Sequence, residues 1–97
     1  MEWKQNENRL IQAILSLKNA SEAKQFLRDL MTEGELDEFA KRLQAAELLL
    51  KKIPYTIIEQ KTGLSSTTVA RVAKWLNGKE GGYKKIISKL HHHNTTP

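Results

Sequence analysis

Residues 55–77 read YTIIEQKTGLSSTTVARVAKWLN, and this stretch decides the fold that we predict for the chain. Its pattern indicates a short helix at 55–62 and a second helix at 66–76. Gly63 lies between them, and glycine suits a sharp turn because it adopts a positive φ without steric cost. Four apolar residues around this glycine would hold the two helices together: Ile58, Leu64, Val69 and Val72. The pattern predicts a helix-turn-helix.

The outward positions of the second helix are polar or basic. Ser66, Thr67 and Thr68 stand at its start, and the N-terminal residues of such a helix face base edges in the major groove. Hydroxyl groups donate or accept hydrogen bonds there, and a threonine methyl can contact a thymine methyl. Arg71 follows one turn later, within reach of a phosphate or a guanine edge, and Lys74 adds positive charge. We therefore expect double-stranded DNA as a partner.

Three helices are predicted before this motif. The first spans residues 3–18, and Ser21 is the predicted N-cap of the second. The third begins at Thr32, because Thr32 and Glu35 have the spacing of a capping box. Pro54 ends the third helix, since proline lacks an N–H and clashes with the preceding turn.

The chain is therefore predicted to be all-α, with about six helices. The last helix is placed at 83–90, which gives a single domain over 1–90 and a disordered tail at 91–97. The third helix is apolar on more than one side, so its apolar surface is wider than packing against a single neighbour requires. A short chain often covers such a surface with a second copy of itself, which predicts a homodimer.

Composition excludes several classes of function. The 97 residues include no cysteine, so disulfides, thiolate zinc sites and thiol catalysis are excluded. The N-terminus lacks a signal-peptide pattern, and no apolar run approaches the ~20 residues of a membrane span. We expect a cytoplasmic protein with no membrane partner and no cofactor. His91, His92 and His93 lack the spacing of a helical ligand pair, so no metal site is expected.

Positive charge is concentrated in the second half of the chain. Residues 1–50 carry seven basic and nine acidic side chains, whereas residues 51–97 carry nine basic and two acidic ones. A segment this basic favours a polyanionic partner, with nucleic acid first and an anionic membrane second. A lysine-rich surface that faces only solvent would give the same excess of basic side chains.

Two adjoining stretches carry a family resemblance. MTEGELDEFAKRLQAAELLLKK at 31–52 and PYTIIEQKTGLSSTTVARVAKWLN at 54–77 resemble the Trp repressor superfamily, and within it the YerC/YecD branch. The resemblance covers roughly residues 10–90. It implies six helices per subunit and an interlocked homodimer in which the N-terminal helices of one chain wrap the other. It also implies two helix-turn-helix motifs about one DNA turn apart.

The resemblance also assigns DNA contacts to residues at the starts of the two helices. Carried onto this sequence, those residues are Thr56, Ser66, Thr67 and Thr68. Glu59 departs from the pattern, because the Trp repressor has a basic contact residue at that position. A carboxylate near phosphates is unfavourable, so that contact is not expected here.

The resemblance further implies an effector pocket. Arg42 and Arg71 match the two arginines that flank the bound indole in the Trp repressor, and Thr32 matches a threonine before the third helix. Val72 replaces a glycine and Trp75 replaces a small serine, so both would fill the cavity from within. We therefore expect no response to L-tryptophan. Thr32 also has a simple role as an N-cap, and Arg42 as an ion-pair partner.

The predicted function is a sequence-specific transcriptional regulator that binds a pseudo-palindromic operator as a dimer. Two alternatives remain. The first is a repressor that responds to a different small anionic effector, held by Arg42 and Arg71. The second is a dimeric protein-interaction module without specific DNA binding, favoured by Glu59 and by the lack of a guanine-reading residue at the helix start. An enzyme is not expected, because no nucleophile and base form a recognisable motif.

Overall fold

The structure, a computed structural model, describes residues 1–94, and these residues form six α-helices and no β-strand. The helices are α1 (Gln5–Leu15), α2 (Ala20–Leu30), α3 (Glu33–Leu50), α4 (Tyr55–Thr62), α5 (Ser66–Leu76) and α6 (Gly82–Asn94). The prediction of an all-α fold is therefore confirmed. None of these helices has both the length and the apolar character needed to cross a membrane. The chain divides into an N-terminal unit, residues 1–36, and a C-terminal unit from Asp37 onward.

Hydrogen bonds at their starts define the two helices of the N-terminal unit. The backbone N–H of Lys4 donates to Glu7 Oε1 over 2.9 Å, so α1 begins two residues later than predicted. The side chain of Asn19 accepts a hydrogen bond from the N–H of Glu22 over 2.9 Å. The N-cap of α2 is thus Asn19, and the prediction of Ser21 was wrong. Both residue types cap well, and the asparagine reaches a free amide first.

The start of α3 is a capping box, as the sequence predicted. The N–H of Glu35 donates to Thr32 Oγ1 over 3.1 Å, and the N–H of Thr32 donates to Glu35 Oε1 over 2.9 Å. Two hydrogen bonds with Thr32 lower the pKa of Glu35 below its ordinary value. The bond from the Thr32 backbone has the larger effect, and the bond to the Thr32 side chain has the smaller one. The carboxylate form is therefore the one that stabilises this helix start.

The chain leaves α3 through a left-handed residue. Lys52 has a φ of 65°, and its N–H donates to the carbonyl of Leu49 over 3.0 Å. The N–H of Ile53 donates to the carbonyl of Leu48 over 3.1 Å, which completes a Schellman motif. The helix therefore ends before Pro54 is reached. Pro54 itself is the N-cap of α4, with a φ of −61°.

The core of the C-terminal unit forms around two alanines of α3. Ala45 and Ala46 have no accessible surface, so they lie at the centre of this core. The other buried members of this core come from the rest of the unit: Ile58, Leu64, Val69, Val72, Leu76 and Ile87. This core fixes α4 and α5 with respect to α3, so it positions the helix-turn-helix.

The last helix is longer than predicted. α6 runs from Gly82 to Asn94, whereas the sequence placed it at 83–90. Residues 91–94 are therefore helical where a disordered tail was predicted, because no glycine or proline interrupts the helix after Gly82. The rest of that predicted tail, residues 95–97, lies outside the described residues. A single domain over 1–90 stays a prediction.

Candidate nucleic-acid interface

The turn between α4 and α5 is built from glycine and threonine. Gly63 has a φ of 77°, and its N–H donates to the carbonyl of Glu59 over 2.8 Å. The buried hydroxyl of Thr62 donates to the carbonyl of Ile58 over 2.7 Å and accepts from the N–H of Leu64 over 3.2 Å. Sequence analysis identified Gly63 but missed Thr62. Its position directly before a helix-ending glycine was the signal available.

The four predicted anchors of the motif are all buried. Ile58, Val69 and Val72 have no accessible surface, and Leu64 is almost fully covered. They belong to the core that α3 also enters. The ends of α4 and α5 also lie where the sequence placed them, at 55–62 and 66–76. The two helices are therefore held rigidly against each other, and the helix-turn-helix is confirmed.

A serine that sequence analysis left without a role holds the start of α5. Ser65 is the N-cap, and its Oγ accepts from the N–H of Thr68 over 3.1 Å. The same hydroxyl donates to Thr68 Oγ1 over 3.0 Å, so the Thr68 side chain is fixed. Thr68 is partly buried, whereas Ser66 and Thr67 are exposed. Free hydroxyls and the positive end of the helix dipole therefore lie together at the surface.

The remaining predicted contact residues are also at the surface. Arg71 and Lys74 are exposed on α5, and Thr56 is exposed in the first turn of α4. Glu59, the acidic departure from the family pattern, is only partly exposed. The structure thus brings five of the six predicted contact residues onto α5 and the sixth onto its packing partner, α4.

Basic side chains after residue 50 have no acidic partner within the described chain. The three ion pairs found in residues 1–91 join Arg28 to Glu33, Lys41 to Asp37, and Arg42 to Glu38. All three lie before the helix-turn-helix. The positive charges that the sequence concentrates in its second half are therefore available to an external anion.

The residues predicted for an effector pocket have different environments. Thr32 lies in the N-terminal unit, where its hydroxyl caps α3. In the C-terminal unit, Arg71 is exposed and Val72 is fully buried. Trp75 is 46% exposed, so it does not fill a buried cavity as predicted. Its ring instead lies 5.6 Å from the guanidinium carbon of Arg42.

No group of three or more metal-binding side chains lies together in the part of the chain that was described. The side chains of His92 and His93 lie outside that part, so the prediction about the histidine tail is untested.

This arrangement defines the class of the molecule: an all-α helix-turn-helix protein. The sequence matches the family model described as Trp repressor protein over residues 5–91, and the chain belongs to that family. The resemblance predicted from the sequence is thereby confirmed. Members of this family are regulators rather than enzymes, so membership suggests a DNA-binding regulator.

Individual relatives agree with this assignment. The chain is 35% identical over 83 residues to the uncharacterized protein YerC of Bacillus subtilis (strain 168). The aligned region covers 86% of this chain and 80% of YerC. A TrpR-like protein from Eubacterium eligens ATCC 27750 superposes with a TM-score of 0.84 at 37% identity, over 91% of both chains. A putative Trp repressor from Staphylococcus aureus gives a TM-score of 0.83 at 34% identity, over 91% of this chain and 88% of that one.

Proposed function

We propose that the protein is a sequence-specific transcriptional regulator that binds a pseudo-palindromic operator as a homodimer, with α5 in the major groove. The observation that carries this proposal is the start of α5. Ser66 and Thr67 are exposed there, beside a Thr68 that Ser65 holds in place, on a helix anchored by Val69 and Val72. A rigid helix with a hydroxyl-lined start is what groove recognition requires.

Each predicted contact has a distinct task in this proposal. The hydroxyls of Ser66, Thr67 and Thr68 face base edges, with the helix N-terminus directed at a phosphate. Arg71, one turn later, contacts a guanine edge or a phosphate. Thr56 and Lys74 contact the backbone and fix the register of the motif on the duplex. Further phosphate contacts come from Lys51, Lys52, Lys61 and Lys79.

The N-terminal helices support the dimer. α1 and α2, both fully described, contain no buried residue although each has an apolar face. Leu15 is 78% exposed, and Leu10, Ile11 and Ile14 are also exposed. Helices with this much uncovered apolar surface need a partner, and a second copy of the chain supplies one.

The experiment that tests specific recognition is selection from a pool of random duplexes. A dimer with two recognition helices should enrich inverted half-sites about 10 base pairs apart, centre to centre. A pool that stays random after several rounds would contradict specific binding. Enrichment of a single isolated half-site would contradict the dimer.

Arg71→Ala should weaken binding to the selected duplex by roughly 5- to 100-fold, since a good base contact contributes about 1–3 kcal/mol. A gel-shift titration measures the change. Arg9→Ala removes the same charge from α1 and serves as the matched control, with wild-type affinity expected. Unchanged affinity in Arg71→Ala would exclude the role assigned to this arginine.

L-Tryptophan should change neither the unfolding temperature nor the DNA affinity. Val72 is buried where the family has glycine, and the indole of Trp75 already lies beside Arg42. Thermal unfolding with millimolar L-tryptophan, together with a panel of other amino acids and small anions, measures this. A rise with L-tryptophan would contradict the proposal, and a rise with another anion would favour the alternative effector-responsive repressor.

A further inference from the structure

We propose that Arg42 and Trp75 are positioning residues, and that the contact between their side chains sets the tilt of α5 for DNA recognition. This inference rests on the proposed function. Arg42 belongs to α3 and Trp75 to the last turn of α5, so the contact joins two helices outside the buried core.

The Arg42 guanidinium lies near two aromatic rings. Its central carbon is 5.4 Å from the centroid of Phe39 and 5.6 Å from the centroid of Trp75. Both distances are within the range of a cation–π interaction, and tryptophan is the strongest partner for one. Phe39 is on the same helix as Arg42, three residues earlier. Trp75 is therefore the ring that links α5 to this cation.

Apart from the rings, Arg42 has one charged partner, Glu38. Its Nε is 3.5 Å from Glu38 Oε2, an ion pair that lacks hydrogen-bond geometry, and the Nε atom is inaccessible to solvent. A buried donor without a partner is unfavourable unless another interaction compensates. The aromatic faces supply that compensation, so Arg42 favours the arrangement in which Trp75 lies beside it.

Trp75 lies at the opposite end of α5 from the residues proposed to contact bases. Ser66 and Trp75 are nine residues apart, which is about 14 Å along a helix axis. Val69, Val72 and Leu76 anchor α5 along one buried face. The contact of Trp75 with Arg42 lies to one side of this row of anchors, so it restricts rotation of α5 about them, and that rotation would displace Ser66 and Thr67 from the bases.

The test uses the full-length protein and the duplex selected above, with a random duplex as the non-specific reference. The variants are Trp75→Leu, Arg42→Met, the double variant and Trp75→Phe. Lys41→Met, also on α3, controls for the loss of one charge. Affinity for both duplexes and the unfolding temperature are measured for each protein.

Trp75→Leu and Arg42→Met should each weaken specific binding by about five-fold, with little change for random duplex. The double variant should be no weaker than either single one, because both remove the same contact. Trp75→Phe should retain most of the affinity, since it keeps an aromatic face, and Lys41→Met should match wild type.

Unchanged specific affinity in either single variant would overturn the inference. So would fully additive losses, or losses that follow the unfolding temperature on both duplexes alike. In a Trp3→Phe background Trp75 is the only tryptophan, and Arg42→Met should then change its fluorescence even without DNA. Unchanged emission would disprove the contact itself. Failure of the wild-type protein to bind any selected duplex would instead disprove the proposed function.

Discussion

Raising the salt concentration from 50 to 200 mM should weaken binding to duplex DNA by a factor on the order of 10⁵. Each subunit has five lysines to which we assign phosphate contacts, so a dimer presents ten: Lys51, Lys52, Lys61, Lys74 and Lys79 from each copy. About ten neutralised phosphates release enough counterions for a loss of this size. The basic side chains beyond residue 50 make no ion pair within the described chain, so no internal carboxylate competes with the phosphates.

The slope of log affinity against log salt concentration measures the number of phosphate contacts. Lys61→Gln combined with Lys74→Gln should lower that slope by roughly 3 to 4 units in a dimer. Lys18→Gln combined with Lys24→Gln removes two charges from the N-terminal unit and should leave the slope unchanged. A wild-type slope near zero would contradict DNA binding and favour the protein-interaction module.

Ile58→Ala should lower the free energy of unfolding by about 2–5 kcal/mol. Ile58 has no accessible surface and belongs to the core that joins α3, α4 and α5. Truncating it removes buried methyl and methylene groups and leaves a cavity that these helices cannot fully close. Equilibrium denaturation at fixed protein concentration measures the loss.

The neighbouring residue offers a matched control for this truncation. Ile57 has the same side chain on the same helix but is 37% exposed. Ile57→Ala should therefore lower the free energy of unfolding by less than half as much as Ile58→Ala does. Equal losses would show that α4 packs by a different face from the one described here.

Local chemistry explains which parts of the fold could be predicted. The bounds of α4 and α5 follow from Gly63 and from the apolar anchors, because these residues allow few other placements of the turn and of the two helices. The cap of α2 was misplaced because Asn19 and Ser21 are both good caps two residues apart. The end of α6 was misplaced because no residue there breaks a helix strongly.

The surface placement of most candidate site residues was predictable, because it depends only on which face of α5 is apolar. Ser65 and Thr62 were missed because their roles depend on individual hydrogen bonds, and a run of four hydroxyl residues offers several possible caps. Trp75 was predicted inside and is half exposed. Its ring lies beside Arg42 of α3, and this contact between distant parts of the sequence is not encoded in the apolar pattern of α5 alone.

The distribution of ion pairs has a consequence for the free protein. Every ion pair within residues 1–91 lies before the helix-turn-helix, so the basic side chains after residue 50 repel one another without an ion pair of their own. Any polyanion that binds there relieves this self-repulsion in the folded state. Under the proposed function, duplex DNA should therefore raise the unfolding temperature of this protein even where the sequence of bases is wrong.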